Sequence, residues 1–225
     1  LNKSNSGYVG GNNAGIRQAK GKYLLILNND TVVTPSFIEP LVEDLKNYPS
    51  LGIVQSKIFI MDKPKLLDNV ASYLTNTGFL YHIGYLDVDK SEYQRYRETF
   101  AAKGACMLVR KEVLRLGAFD KEFWCYFEET DLCWRAWVMG YHVAFEPKSL
   151  SKSPDHMLLR SALLGAKWLP IEKEIYRNSQ KYHWRPFSQL KNAPNVFRIA
   201  DSAPLREPCF SVSGKNAASP FGRSQ

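Results

Sequence analysis

Two short clusters in this sequence hold the side-chain types from which chemistry is built. The first is Asn28-Asn29-Asp30, two amides and a carboxylate at the end of the apolar run Leu24-Leu25-Ile26-Leu27. The second is Glu128-Glu129-Thr130-Asp131, three acids behind the aromatic stretch Phe123-Trp124-Cys125-Tyr126-Phe127. A carboxylate on rigid support is a hard oxygen donor, suited to a divalent cation beside a phosphate. A carboxylate partly removed from water by aromatic rings gains proton affinity and suits general-base work. Each cluster also has an ordinary structural reading. An acid after a strand commonly serves a turn or cap, and acids in a first helical turn complement the helix dipole. Arg135, four residues after Asp131, is placed to be its i,i+4 partner.

The elements that must position these clusters follow from hydrophobic patterning. A continuous apolar run such as Tyr23–Leu27 suits a strand buried on both faces, with its polar end at the ligand-binding edge of an open α/β sheet. Before it lies a Gly/Asn-rich segment over 5–15, in which Asn12 or Asn13 is expected to cap a helix over 14–20 ended by Gly21. After it, Thr34-Pro35 predicts an N-cap followed by proline at the first helical position, with Phe37, Ile38, Leu41, Val42 and Leu45 at helical spacing until Pro49. Leu51–Ile60 reads as a second buried strand, completing a βαβ unit with parallel crossover.

Residues 61–100 show little periodicity and read as a long irregular excursion, a lid or acceptor-binding segment, with short strands near Gly78–Leu80 and Tyr85–Val88. Ala102–Arg110 returns to strand character, with Gly104-Ala105 small enough for close backbone approach. A short helix over Lys111–Leu116 closes at Gly117. The second acidic cluster opens a helix running to Met139, with Gly140 as its C′ residue. Val143–Phe145 reads as a strand ended by Pro147. Beyond 151, helices are expected at 155–165 and 171–183, followed from about 199 by a mobile tail.

Composition sets the bounds. The 225 residues are 44% hydrophobic and 13% aromatic, a globular balance. Residues 1–150 carry 18 Lys+Arg against 17 Asp+Glu, whereas residues 151–225 carry 12 against 5. The basic charge therefore sits in the C-terminal third, which suits an anionic membrane surface or a phosphate-bearing partner. Cys106, Cys125, Cys133 and Cys209 form no CxxC pair or zinc spacing, which points to reduced thiols and a cytoplasmic setting. No stretch reaches the roughly 20 apolar residues needed to cross a bilayer.

The series "SGYVGGNNAGI", "GKYLLILNNDTVVTP" and "KGACMLVRKEVLRLGAFDKEFWCYFEETDLCWRAWVMGYHVAFEP" resembles the family 2 glycosyltransferases of the GT-A fold, in particular their rhamnosyltransferase-like branch. It covers roughly residues 5–147 with the motifs in the family's order. The resemblance implies an α/β, Rossmann-like, mostly parallel sheet flanked by helices over 1–150, a basic helical extension over 151–198 and a tail over 199–225. It implies inverting transfer of a sugar from a UDP- or dTDP-linked donor to a saccharide or lipid-linked acceptor, with no nucleic-acid partner. Asn28-Asn29-Asp30 matches the family's DxD motif, so Asp30 is expected to hold a divalent cation, Mn or Mg, while Asn28, Asn29 and Asn13 border the nucleotide. Phe127-Glu128-Glu129 matches the xED motif, making Glu129 the expected base, Asp131 the second choice and Glu128 its neighbour. Gly104-Ala105 matches the segment beside the donor sugar. His156 is a candidate metal ligand, three residues beyond the position where family members place a histidine. The family's usual first strand and nucleobase loop would precede Leu1, so the chain is expected to be truncated at its N-terminus. The alternatives are an NDP-sugar nucleotidyltransferase, which would need a basic Gly-rich loop near residues 5–22, and a catalytically incompetent fragment.

Overall fold

A computed structural model describes residues 5–74, 80–115, 117–123 and 126–155. In chain order the elements are α1 Gly7–Gln18, β1 Tyr23–Leu27, β2 Val32–Val33, α2 Ile38–Asn47, β3 Leu51–Ile60, β4 Lys63–Asn69, β5 Ala71–Leu74, β6 Leu80–Ile83, β7 Arg97–Glu98, β8 Cys106–Arg110, α3 Lys111–Leu114, α4 Glu128–Val138 and β9 His142–Ser153. Seven strands form one sheet in the order β1-β8-β3-β9-β2, with β4 added to β3 and β7 to β9; β5 and β6 pair separately. The class is α/β, as expected, but the sheet is mixed. β3 and β9 pair in parallel, whereas β8 runs antiparallel to both β1 and β3. β1 and β3 do point the same way across α2, with β8 inserted between them.

Helices cover both faces. On one, α1 and α4 bury Val9, Leu132, Cys133, Ala136 and Trp137 against Leu24, Ile26, Ile53, Met107, Val109 and Val143. On the other, Leu41 and Leu45 of α2 pack on Leu51, Val54, Leu108 and Ala144. Burying each of these leucines stabilises the fold by about 2–3 kcal/mol. β1 is buried on one face only: Leu24 and Ile26 are inside, while Leu25 and Leu27 are 36% and 37% exposed. The apolar run predicted burial on both faces, but α2 lies over β3 and β8 and leaves this part of β1 uncovered.

The local expectations meet the structure unevenly. β3 occupies the predicted residues, and α2 ends before Pro49. Its start, however, is at Ile38, because Thr34 is occupied by β9: both its N–H and its hydroxyl donate to the Leu150 carbonyl, each at 3.2 Å. Helix α1 begins at Gly7, not after Asn13, so Asn13 lies inside it. Tertiary packing of Val9 and Ile16 overrides the low helix propensity of its glycines. The end of α4 matches expectation. Gly140, at φ +83°, donates its N–H to Trp137 at 3.0 Å and Tyr141 donates to Ala136 at 2.9 Å, the two bonds of a Schellman cap. Pro147 does not end β9; it lies where the β3–β9 register shifts between Ser56 and Lys57, and the strand continues to Ser153.

Residues 61–100 are far more ordered than their sequence indicates. β4, β5 and β6 occupy much of the excursion, and Tyr85–Val88 is a turn with a bridge to Leu66 rather than a strand. Buried polar groups hold it together. Gln55 donates to Asn69 at 3.2 Å, Asn69 donates to Ser72 at 3.0 Å, and Ser72 N–H donates to Thr99 at 2.8 Å. Lys57, fully buried on β3, donates to both Asp89 carboxylate oxygens at 3.0 Å and to Gln94 at 2.9 Å. The expected helices at 155–165 and 171–183, the tail and Gly78 lie outside the described residues.

The Lys57 ion pair generates a stability prediction. Asp89→Ala strands a buried ammonium and should lower the unfolding free energy by about 3–5 kcal/mol. Lys57→Met, which removes the charge itself, should lower it less. Urea unfolding of both variants checks the order.

Candidate active site

The site grows from the C-terminal end of β1. Its ladder with β8 pairs Leu27 with Cys106. One step further, the Asn28 N–H donates to the Ala105 carbonyl at 3.1 Å. The chain then turns, with Thr31 N–H donating to the Asn28 carbonyl at 3.1 Å. Asn29 and Asp30 are exposed on this turn, whereas the Asn28 Oδ1 and Thr31 Oγ1 atoms are buried with no protein hydrogen-bond partner.

Gly104 and Ala105 join this turn to the second cluster. A Cβ on Gly104 would lie 2.8 Å from the Tyr8 hydroxyl and 3.8 Å from the Glu129 Cβ. Tyr8, on α1, donates its hydroxyl to the Gly104 carbonyl at 3.1 Å. Lys103 N–H donates to the Gln55 side-chain Oε1 at 2.8 Å. The backbone of 103–105 is therefore held from α1, β1 and β3, and it lies against the start of α4. The absence of a side chain at Gly104 is what lets that contact form. Its role is steric rather than conformational.

Helix α4 is entered through Tyr126 and Phe127, both left-handed at φ 71° and 68°. Left-handed backbone at a non-glycine residue costs roughly 1–2 kcal/mol, so two in succession mark a chain direction imposed by its surroundings. They turn Glu128 inward, where it is 4% exposed, and leave Glu129 half-buried. Burial first, then the neighbouring Glu129 carboxylate, pushes the Glu128 carboxyl well above the ordinary carboxylate range. Asp131 is ion-paired to Arg135, with Nε and Nη2 at 2.9 and 2.8 Å. Burial nevertheless raises its carboxyl, against the opposing pull of Arg135. Arg135 also donates to the carbonyls of Gly117 and Ala118 at 2.8 and 2.9 Å, so the pair secures the 117–118 loop to α4.

The expected site residues thus separate. Asn28, Gly104, Ala105 and Glu129 come together, with Asn29 and Asp30 on the adjoining turn. Asn13 turns to other work: its amide donates to the Phe119 carbonyl at 2.7 Å and accepts the Phe119 N–H at 3.0 Å, clamping α1 to the loop before α4. His156 and Trp124 lie outside the described residues. Tyr8 and Gln55 were not singled out in the sequence. Tyr8 sits in the Gly/Asn-rich segment, which marks the region; nothing local marks Gln55, whose partner lies 48 residues away.

A divalent cation has oxygen donors available here. The Asp30 carboxylate and the buried amide oxygen of Asn28 share one turn, and both are hard ligands. Among the described residues no three His, Cys, Asp or Glu side chains gather around a common point that could hold a metal. A cation at Asp30 would therefore need further ligands from outside these side chains.

A mixed sheet flanked by helices, with ligand-competent groups at the strand ends, is the architecture that this chain shares with GT-A-type glycosyltransferases, as the comparisons with known proteins show. The profile of glycosyl transferase family 2 matches residues 1–117, more than half of the chain, and the chain belongs to that family. A low-salt glycan biosynthesis hexosyltransferase, Agl10 of Haloferax volcanii, is 29% identical over 142 residues, covering 59% of this chain and 43% of that protein. The poly-beta-1,6-N-acetyl-D-glucosamine synthase of Staphylococcus epidermidis is 25% identical over 149 residues, covering 65% of this chain and 34% of its own length. The chain thus spans less than half of either curated relative. The crystal structure of GalNAc-T7 with UDP, GalNAc and Mn2+ shares the fold at TM-score 0.56 and 15% identity, covering 68% of this chain and 31% of that one.

The Asn13 clamp yields a prediction that separates structure from ligand contact. Asn13→Ala leaves the Phe119 N–H and C=O unpaired at a buried site and should cost about 2–4 kcal/mol. Scanning calorimetry in the absence of any nucleotide should already show that loss.

Proposed function

We propose that this domain transfers a sugar from a nucleotide diphosphate donor to an acceptor hydroxyl with inversion at the anomeric carbon. The observation that supports this reading is the meeting of the two acidic clusters at Gly104-Ala105. Asn28 is bonded to Ala105, and Glu129 packs beside Gly104. An inverting displacement needs a leaving group held at one point and a base held at another, with the sugar between them.

Asp30 and the Asn28 amide oxygen would hold a divalent cation, Mn or Mg, at the donor diphosphate. When bound, that cation neutralises the charge developing on the departing diphosphate. Glu129 takes the acceptor hydroxyl proton as the hydroxyl oxygen attacks the anomeric carbon from the face opposite the diphosphate. The bond to the diphosphate breaks with its electron pair leaving on the diphosphate oxygen, and the glycosidic bond forms. Asp131 serves the architecture through Arg135, which is why Glu129 is preferred as base.

The donor is UDP- or dTDP-linked, and the acceptor is a saccharide or a lipid-linked saccharide. GalNAc-T7, solved with UDP, GalNAc and Mn2+, supports the donor class and cation through its fold. The basic residues beyond 151 would bring the domain to an anionic cytoplasmic membrane face. The nucleotidyltransferase alternative is less well supported, because residues 7–18 form a helix rather than a phosphate-cradling loop.

Calorimetric titration of the intact protein with UDP and dTDP, with and without Mn, tests the donor half. Asp30→Ala should abolish metal-dependent nucleotide binding; unchanged binding would remove Asp30 from the site. Glu129→Gln should spare nucleotide binding and lower turnover by roughly 10²–10⁴. If Asp131→Asn instead loses that much while Glu129→Gln keeps full turnover, the base is Asp131.

A further inference from the structure

We infer that Gln55 is a positioning residue for sugar transfer: its buried amide holds, from inside the sheet, the Lys103–Ala105 backbone at which the donor turn and the start of α4 meet. The catalytic consequence rests on the proposed transferase reading. The anchor itself rests on geometry alone.

The strand ladders create the need for it. β8 pairs with β3 at Ile53–Val109, Val54–Leu108 and Gln55–Met107, and the pairing ends there. On its other edge β8 stays with β1 through Leu27–Cys106, and the Asn28–Ala105 bond adds one step more. Residues 103–105 therefore leave the sheet on the β3 side, just beyond the point where Gln55 stands. Side chains then do what a ladder would have done. Lys103 N–H donates to Gln55 Oε1 at 2.8 Å, in place of a further rung from β3. The Gly104 carbonyl accepts the Tyr8 hydroxyl at 3.1 Å, and Ala102 N–H donates to Cys133 Sγ of α4 at 3.3 Å.

The other end of the same amide is also committed. Gln55 Nε2 donates to Asn69 Oδ1 at 3.2 Å and to the Val70 carbonyl at 3.5 Å. Asp68, beside Asn69, pairs with the Lys103 ammonium at 3.7 Å, the two side chains being 6% and 18% exposed. Lys103 is thus tied to the β4–β5 corner through its backbone and through its side chain. Gln55 is fully buried on a strand whose preceding residues, Ile53 and Val54, are core. A carboxamide is neutral and offers both an acceptor and donors, so it can bridge Lys103 and Asn69 without burying a charge. An apolar side chain there would leave the Lys103 N–H without this partner. Gln55 acts through the backbone it holds: Ala105 carries the bond to Asn28, and Gly104 lies against Glu129.

Two measurements on the intact protein test this. The first needs no substrate and reads amide hydrogen exchange across 102–105. Gln55→Met keeps the side-chain length and removes the bond, so exchange at the Lys103 amide should rise roughly tenfold or more. Lys57→Met, two residues further along β3, should leave it unchanged. Unaltered exchange at Lys103 in Gln55→Met would overturn the anchor. The second is turnover, read as nucleotide released from UDP- and dTDP-sugars with Mn, at a temperature where every variant is fully folded by circular dichroism. Gln55→Met should lower kcat roughly 10- to 100-fold, the scale of a small misplacement of reacting groups. The donor KM should stay within about threefold, because Asn29 and Asp30 are carried by the turn after β1. A lowered melting temperature with unchanged kcat would make Gln55 purely structural and overturn the inference.

Gln55→Glu is the isosteric control and serves equally if Gln55→Met does not fold. At about pH 6 burial keeps its carboxyl neutral, with an oxygen for Lys103 and a hydroxyl for Asn69. It should keep the Lys103 amide protected and retain most of the kcat that Gln55→Met loses. If it exchanges as fast and turns over as slowly as Gln55→Met, the inference fails. If wild type releases no nucleotide while the exchange result holds, the anchor stands and the transferase reading is what fails.

Discussion

The site depends on the register of the β1–β8 ladder. Leu27 opposite Cys106 places Asn28 against Ala105, and that bond brings the end of one strand to the start of another nearly eighty residues later. A slip of one residue would send Leu24 and Ile26 to the exposed face and Leu25 and Leu27 into the core. Core burial of Leu24 and Ile26 thus fixes where Asn28 and Asp30 emerge. Hydrophobic packing sets the position of polar chemistry.

Buried polar contacts then hold what that register delivers. Gln55 both accepts from Lys103 and donates to Asn69, so the small β5–β6 sheet and the 103–105 loop share one anchor on β3. Asn13 and Arg135 hold the 117–119 loop from opposite helices. Each contact replaces water around a group that would otherwise be costly to bury. Their joint effect is a wall around Gly104, against which Glu129 is placed.

Much of this was legible from the residues. β3, α2 and the Gly140 cap follow from periodicity and end signals. The order of motifs in the chain indicated the family, which the profile match over residues 1–117 bears out. Less legible was the region 61–100, because a strand that buries polar residues against other polar residues shows no apolar alternation. Asn69, Ser72 and Thr99 are all buried, yet each reads as loop composition. Asn13 is ambiguous for a related reason: a buried asparagine clamp and a nucleotide-facing asparagine are the same letter in the same glycine-rich setting.

The sequence by itself determined the local elements, their apolar faces and the two acidic clusters, because helix and strand signals act over a few neighbouring residues. Only the tertiary structure decided that β8 runs against β1 and β3, that Asn13 clamps Phe119, and that Glu128 is buried while Glu129 remains half-exposed. Those outcomes depend on contacts between residues far apart in the chain. Burial and partner geometry, rather than residue type, separate one carboxylate from the next.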